Sequence, residues 1–513
     1  MNMPTRRRIA STRNPAPRRL GKAETIGSRH QRQEDRFGQD AGQGAAPRRP
    51  LDPSLTVGRR TGRARRIVQR VFRDYPGEVA VRLWNGETQN FGTGAPEVTL
   101  VFHHPGLFRD LILFRDPLRL AEAYFQGELD VEGDIYAALR LKDHLQSLNL
   151  SVAERAAFLL GALFPGRMPE SNRRIPARWR RTLSDWFTRR NSRKGNRQAI
   201  AFHYDLSNAF YRLWLDEQMI YSCAYFEEAH EDLDQAQRHK LEHICRKLRL
   251  KPGERLLDIG CGWGALARWA ARHHGVHAHG ITLSRHQHEH ARQMIQAEGL
   301  QDRVTVELKD YRDLQGAAAF DKIASIGMFE HVGLRNFPLY FGRVQRLLKP
   351  GGLFLNHGIT QDQEKWRKTV GTQFINRYVF PDGELDTVSN AQCAMERAGF
   401  EILDVEAMRP HYALTLRHWV RRLEACQAEA LRHVPEPVYR VWHLYMAACA
   451  LQFEQGDIGV YQILAAKKGA GIDAVPLTRR DLYVEVHRRN GVLAPEAYRK
   501  ANKVSVSGDN ENY

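Results

Sequence analysis

The residues best suited to chemistry in this chain begin at Asp258-Ile-Gly-Cys-Gly-Trp-Gly264. The turn follows an apolar run and opens an amphipathic one, the strand-to-helix context in which closely spaced glycines let backbone approach a nucleotide-like ligand. Its glycines run G-x-G-x-G behind an acid, whereas a dinucleotide turn is spaced G-x-G-x-x-G and presents a helix N-terminus to a pyrophosphate. The spacing therefore argues against NAD. Two more polar segments stand where an extended ligand would reach: Gly280-Ile-Thr-Leu-Ser284 and Asp310-Tyr311-Arg312. Elsewhere the reactive side chains are scattered. Read singly, Glu330 and His331 fit a surface pair, His357 a satisfied core histidine, Tyr412 a buried phenol and Cys223 a small hydrophobe.

The elements that must position these residues alternate. From Leu248 the pattern predicts strands at 255–259, 276–281, 303–308, 320–325 and 351–357, with helices at 264–273, 285–298 and 337–347. Strands alternating with helices of this length give an α/β fold, a doubly wound, mostly parallel sheet covered on both faces, which binds ligands at the carboxyl ends of its strands. Upstream, short strands at 79–84 and 98–102 and helices at 118–124 and 135–148 predict a smaller α+β domain. Its acids Glu122, Glu128, Asp130, Glu132 and Asp134 read as a solvated rim.

The domain reading is a disordered basic tail at 1–73, a lipid-associated α+β domain at 74–170, a basic linker at 171–198, a catalytic domain at 199–470 and a C-terminal tail at 471–513. Of the net charge of +18, most lies in residues 1–73, with 19 Lys/Arg against 5 Asp/Glu and no apolar periodicity. Such a segment cannot offset its ordering entropy by burial. Its arginines suit an anionic membrane or non-specific contact with nucleic acid, and no specific nucleic-acid partner is expected. In the linker, basic residues interleave with Trp179, Trp186 and Phe187, which fits either a membrane interface or a plain charged linker. No run approaches the roughly 18–20 apolar residues of a membrane span, and the start lacks a secretory apolar core. The expected location is the cytoplasm, peripherally at the inner membrane surface. Six cysteines without a C-x-x-C pair predict neither a disulfide framework nor a metal site.

Taken together, His203-Tyr-Asp-Leu-Ser-Asn-Ala-Phe-Tyr211, Tyr221-Ser-Cys-Ala-Tyr225, the glycine turn, Thr282-Leu-Ser-Arg285, Met328-Phe-Glu-His331, His357-Gly-Ile359 and His411-Tyr-Ala-Leu-Thr415 resemble the cyclopropane-fatty-acyl-phospholipid synthase family, which includes the mycolic acid cyclopropane synthases. The resemblance spans about 200–415, with a further match at 445–467 and a looser one at 120–127. It implies a class I, Rossmann-like methyltransferase using S-adenosylmethionine, held by Tyr221, Ser222, Asp258, Gly260, Gly262, Gly264, Thr282, Leu283, Gln287, Tyr311 and Arg312. The general methyltransferase pattern puts a ribose-binding acid after the second strand; none stands here, which leaves Thr282, Leu283 and Gln287 to make those contacts.

The implied reaction is methylene transfer to cis double bonds of unsaturated acyl chains in membrane phospholipids. It implies a bound bicarbonate as general base, held by the backbone at Cys223 and Ile359 and by the side chains of Glu330, His357 and Tyr412. Tyr225, Phe226 and Tyr378 are candidates to stabilise a carbocation through their π faces. Cys449, in the apolar run 441–453, matches a family cysteine that has the chemistry of a nucleophile, although the mechanism does not require one. Loss of a different proton would give a methyl-branched or methylene fatty acid, and a catalytically silent lipid-binding protein is the reading from another class. The family also implies a possible homodimer. Ser207, Ala209, Ala265 and Ala413-Leu414 depart from the family pattern, and none of them is an implied bicarbonate ligand.

Overall fold

The computed structural model describes residues 53–104, 107, 117–148, 206–363, 370–379, 384–469 and 475–483. The linker 171–198, most of the N-terminal tail and His203, Tyr204 and Asp205 lie outside the described residues.

The N-terminal unit begins earlier than its composition suggests. Helix α1 (Pro53–Phe72) lies inside the stretch assigned to the basic tail. Ala64, Val68, Val71 and Phe72 recur at helical spacing, and all four are buried. The arginines between them, Arg65 and Arg66, are exposed, so one face of a strongly basic segment still packs. That face lies against a four-stranded sheet of order β2-β1-β3-β4, made by β1 (Val79–Arg82), β2 (Thr88–Phe91), β3 (Val98–Phe102) and β4 (Leu129–Gly133). Helices α2 (Pro117–Phe125) and α3 (Ile135–Ser147) complete the unit.

The five acids of this unit are a solvated rim only in part: Glu132 is exposed, whereas Glu128 is buried and Glu122, Asp130 and Asp134 are half-buried. Asp134 caps α3 by accepting from the N–H groups of Tyr136 and Ala137, Glu132 pairs with Arg82, and buried Glu128 pairs with Arg119. Glu122 accepts from the Tyr378 hydroxyl at 2.8 Å, and Asp130 pairs with Arg440. The last two face the catalytic unit, which explains the clustering: they belong to a docking seam.

The catalytic unit follows as α4 (Asn208–Arg212), α5 (Leu233–Lys247), β5 (Arg255–Ile259), α6 (Ala265–His274), β6 (His277–Thr282), α7 (Arg285–Ala297), β7 (Val304–Leu308), β8 (Phe320–Ile326), α8 (Phe337–Leu347), β9 (Leu348–Gln361), α9 (Val370–Tyr378), α10 (Val388–Arg397), β10 (Phe400–Ala407), α11 (Arg409–Ala425), α12 (Gln427–His433), α13 (Glu436–Gln455) and β11 (Ile458–Lys467). The seven-stranded sheet runs β10-β11-β9-β8-β5-β6-β7. Its first five strands in sequence are parallel, as the alternation requires, whereas β11 inserts antiparallel between β9 and β10. Residues 475–483, read as tail, dock on this unit: Leu482 is buried and Asp481 pairs with Arg249 at 2.8 Å. Among the described residues no helix is long and apolar enough to cross a membrane.

Arg440 of α13 carries the docking seam. Its guanidinium donates to the carbonyl oxygens of Tyr124 and Leu129 at 3.0 and 3.3 Å and to Asp130 Oδ1 at 2.5 Å. Beside it, His443 bridges the Tyr124 hydroxyl and Glu424. Arg440→Ala leaves two carbonyls and a carboxylate short of a donor and is expected to cost about 2 kcal/mol, read as a lower thermal midpoint and faster proteolysis of the N-terminal unit.

Candidate active site

A cleft opens at the carboxyl ends of β5, β6 and β8. Tyr221, Ser222, Asp258, Gly260, Gly262, Thr282, Leu283, Gln287, Tyr311 and Arg312 meet around it. Gly262, at φ 55°, exposes backbone where a side chain would be strained. Gly264 does not line the cleft: a Cβ there would stand 3.1 Å from the Ala291 Cβ, so it serves the close approach of α6 to α7. In place of an acid after β6, the Thr282 hydroxyl donates to Gln287 Oε1 at 2.7 Å, which fixes that side chain at the rim. Asp310 accepts from the Arg312 backbone N–H at 2.9 Å and grips its guanidinium with both carboxylate oxygens, folding the arginine back over the turn.

The floor of the cleft carries a residue that the sequence reading missed. Lys240 of α5 is 1% exposed and donates to Ser222 Oγ at 2.9 Å. Burial pulls its ammonium down to about 8, opposed by the carboxylates of Asp216 and Asp258. Burial likewise pushes Asp258 up to about 7 against the pull of Lys240. The signal was present: Gln237, Lys240, His243 and Lys247 recur at helical spacing on α5, and all four are buried. A polar stripe on a helix reads as its solvent face unless the sheet it faces is known.

The turn after β8, whose Met328 and His331 line the cleft, meets the end of β9. Strand β9 outruns β8, which ends at Ile326 opposite His357, so Ile359 presents its N–H beyond the last strand pair. The Glu330 carboxylate, on the turn after β8, takes that N–H through Oε1 at 2.7 Å. Its Oε2 is buried with no hydrogen-bond partner among the described residues. Burial pushes the Glu330 carboxyl up to about 7. His357 turns its Nδ1 to Gln462 Nε2 at 3.2 Å, and burial with the nearby Lys240 and Lys247 keeps the ring neutral.

Cys223 is fully buried, its Sγ 3.8 Å from the Met408 carbonyl oxygen; Met408 also accepts from the Tyr412 N–H and donates to the carbonyl of Val460, the β11 partner of Ile359. Glu330, Ile359, Tyr412 and Cys223 are thus linked through Met408 and Val460. Burial holds the Cys223 thiol well above its ordinary range.

The remaining candidates fall into three groups. Tyr225 is sandwiched between the rings of His243 and His411, with centroids 4.3 and 4.9 Å away, so both of its π faces are covered and it is not free to face a cation. Phe226 stacks on His418, whereas Tyr378 packs against Phe125 and Phe374. Cys449 is buried and its thiol is pushed up to about 12, which disfavours the thiolate that a nucleophile needs. Tyr221, Tyr412, Trp419, Trp442 and Phe453 join one apolar cluster with Phe374 and Tyr378.

A doubly wound seven-stranded sheet with a glycine turn after its first strand, opening on a polar cleft at the strand ends, defines a class I S-adenosylmethionine-dependent methyltransferase. The chain matches the family described as mycolic acid cyclopropane synthetase over residues 191–463 and a domain of unknown function over 66–146, a match that begins within α1. It therefore belongs to the mycolic acid cyclopropane synthetase family. It is 43% identical over 407 residues to a probable fatty acid methyltransferase of Pseudomonas putida, covering 79% of this chain and 95% of that one. It is 42% identical over 265 residues to the cyclopropane-fatty-acyl-phospholipid synthase of Escherichia coli K12, covering 52% and 66%. A solved mycolic acid cyclopropane synthase, complexed with SAH and CTAB, aligns with a TM-score of 0.50 at 34% identity, over 53% of this chain and 98% of that one.

Proposed function

We propose that the protein transfers a methylene unit from S-adenosylmethionine to cis double bonds in the acyl chains of membrane phospholipids, forming cyclopropane rings. One observation carries this reading: a buried carboxylate, Glu330, with one oxygen unpartnered among the described residues, on the turn whose Met328 and His331 line the cofactor cleft, its other oxygen on the N–H of Ile359, which packs against the aromatic, apolar cluster. An unactivated alkene needs such surroundings. The apolar wall excludes water that would trap a carbocation, and the carboxylate, by holding the base that takes the last proton, gives that proton a place to go.

When bound, S-adenosylmethionine supplies the electrophilic methyl group. Tyr221, Ser222, Thr282, Gln287 and Asp258 line its cleft and orient it. The residues also fit a small bound base such as bicarbonate: the Glu330 oxygen that has no partner among the described residues would accept from its hydroxyl, and the backbone at Cys223 and the side chains of His357 and Tyr412 would be further contacts. The Ile359 N–H, implied by the family resemblance to be a further donor, is held by Glu330 itself. Cys449 has no step in this scheme. Peripheral contact with an anionic membrane surface, supported by the 19 Lys/Arg of residues 1–73, would bring the chain to its lipid.

A second reading keeps the cofactor and the lipid class but resolves the cation differently: loss of a neighbouring chain proton gives a methyl-branched alkene, and a 1,2-hydride shift followed by loss of a proton from the new methyl gives a methylene fatty acid. It is favoured by the name of the Pseudomonas putida relative, matched over 95% of its length. Incubation with methyl-labelled S-adenosylmethionine and vesicles of a cis-unsaturated phospholipid, followed by mass spectrometry and NMR of the released fatty acids, decides. Ring methylene signals are expected; vinyl or branched methyl signals establish the second reading, and label only in small molecules overturns both.

A further inference from the structure

One helix holds Ser222 at both of its oxygens. Gln237 Nε2 donates to the Ser222 carbonyl oxygen and Lys240 Nζ to its hydroxyl, each at 2.9 Å. The donors stand three residues apart on α5 and so share a face; they are 0% and 1% exposed. Burying an ammonium is costly unless paired contacts compensate, and helix formation alone gives no reason to prefer lysine to leucine at such a place.

The segment they hold has two sides. Tyr221 and Ser222 line the cofactor cleft, whereas the next residue, Cys223, is buried against Met408 in the wall that carries Tyr412 and Ile359. Its two ends are pinned by other groups: Asp216 accepts from the N–H groups of Gln218 and Ile220 at 2.9 and 2.8 Å, and Thr415 accepts from the Ala224 N–H at 3.0 Å. Gln237 and Lys240 hold its middle. Lys240 and Asp258, the acid that opens the glycine turn, line the same cleft.

We propose that Gln237 and Lys240 are positioning residues of the transfer: by fixing Ser222 to α5 at the cofactor cleft they set the separation and angle between the methyl donor on one side of the segment and the proton acceptor on the other. This rests on the lipid-alkylation reading above. In that reaction the S–CH3 bond breaks as a C–C bond forms to one alkene carbon, leaving the positive charge on the other. Loss of a proton from the new methyl closes the ring, and loss from a neighbouring chain carbon gives a methyl-branched alkene; either proton passes to the base. Which C–H bond breaks depends on where the base stands relative to the transferred methyl. A slipped segment therefore alters the product as well as the rate.

The test compares the full chain with Lys240→Met, Gln237→Leu and, as a control, Lys322→Met, a buried lysine near the start of β8 beside Glu254. The probe is methyl-labelled S-adenosylmethionine with dioleoyl phosphatidylglycerol vesicles. Lys240→Met and Gln237→Leu are expected to lower kcat about tenfold or more at saturating cofactor and to shift the ratio of ring-closed to branched product by about threefold or more. Lys322→Met is expected to lower thermal stability without moving the ratio. A wild-type ratio and kcat in Lys240→Met, or an equal shift in Lys322→Met, overturns the proposal. Should Lys240→Met not fold, Gln237→Leu, neutral for neutral, decides by the same criteria. Should the wild-type chain label no lipid, the functional reading fails separately, and the clamp is judged by calorimetry with S-adenosylhomocysteine: binding weakened about tenfold in Lys240→Met but not in Lys322→Met supports it, and equal affinities overturn it.

Discussion

Glu330→Gln is expected to lower turnover by roughly 10²–10⁴-fold, the range that a positioned acid or base contributes, while leaving the affinity for S-adenosylmethionine near that of the wild type. Gln keeps the shape and, through its carbonyl oxygen, keeps the acceptor for the Ile359 N–H that Glu330 holds at 2.7 Å. What it loses is the capacity to become an anion. Burial pushes the Glu330 carboxyl up to about 7, so the carboxylate grows in as pH rises through neutrality, and wild-type turnover rises with it before levelling off.

Stability moves the other way. Between the ordinary carboxyl range and about 7 the folded state binds more protons than the unfolded one, so the wild type loses stability as pH rises through that window. The Gln variant does not carry this loss. At pH 8 the variant is therefore expected to melt no lower than the wild type while turning over far more slowly. Turnover profiles and thermal melts from pH 5.5 to 8.5 check both, and a variant with wild-type turnover removes Glu330 from the chemistry.

Gly358→Ala is expected to be the most damaging single methyl in the wall. A Cβ at this position would lie 1.9 Å from Phe329 Cε1 and 3.1 Å from Glu330 Oε1. Phe329 is itself buried, its ring tilted against that of Phe337 with centroids 5.7 Å apart, and has little room to retreat. Overpacking of this kind costs about 1–3 kcal/mol. Phe329 and Glu330 are consecutive on the turn after β8, so a backbone shift that relieves the ring also displaces the carboxylate, and turnover is expected to fall further than the loss of folded protein explains. Thermal denaturation together with turnover per folded molecule, at a temperature well below the melt, separates the two. A variant that melts normally and turns over normally would show that the turn after β8 yields freely.

Much of the architecture is legible in the sequence because it is local. The glycine turn, the five parallel strands and the helices between them are written in the periods of neighbouring residues, and the boundaries at 255–259 and 337–347 are those of β5 and α8. Helix α1 went unread for a local reason of another kind: the arginines of residues 1–73 dominate its composition, while its apolar stripe of Ala64, Val68, Val71 and Phe72 is narrow. The antiparallel strand β11 is bounded by its neighbours in the sheet rather than by an alternating helix, and its place between β9 and β10 is a matter of pairing.

The sequence by itself determined the cofactor class, through a turn whose glycines and acid act within seven consecutive residues. Tertiary structure decided the rest of the site. Glu330 meets Ile359 across 29 residues because β9 extends beyond β8, and Cys223 meets Met408 across 185 because α11 begins beside the sheet's edge strand. Lys240 becomes the floor of the cleft, rather than a solvated lysine, only because α5 turns its polar stripe toward the sheet. Backbone periodicity reports which face of an element is apolar, but the register between elements is set by packing, and it is register that brings an ammonium, a carboxylate and a serine together.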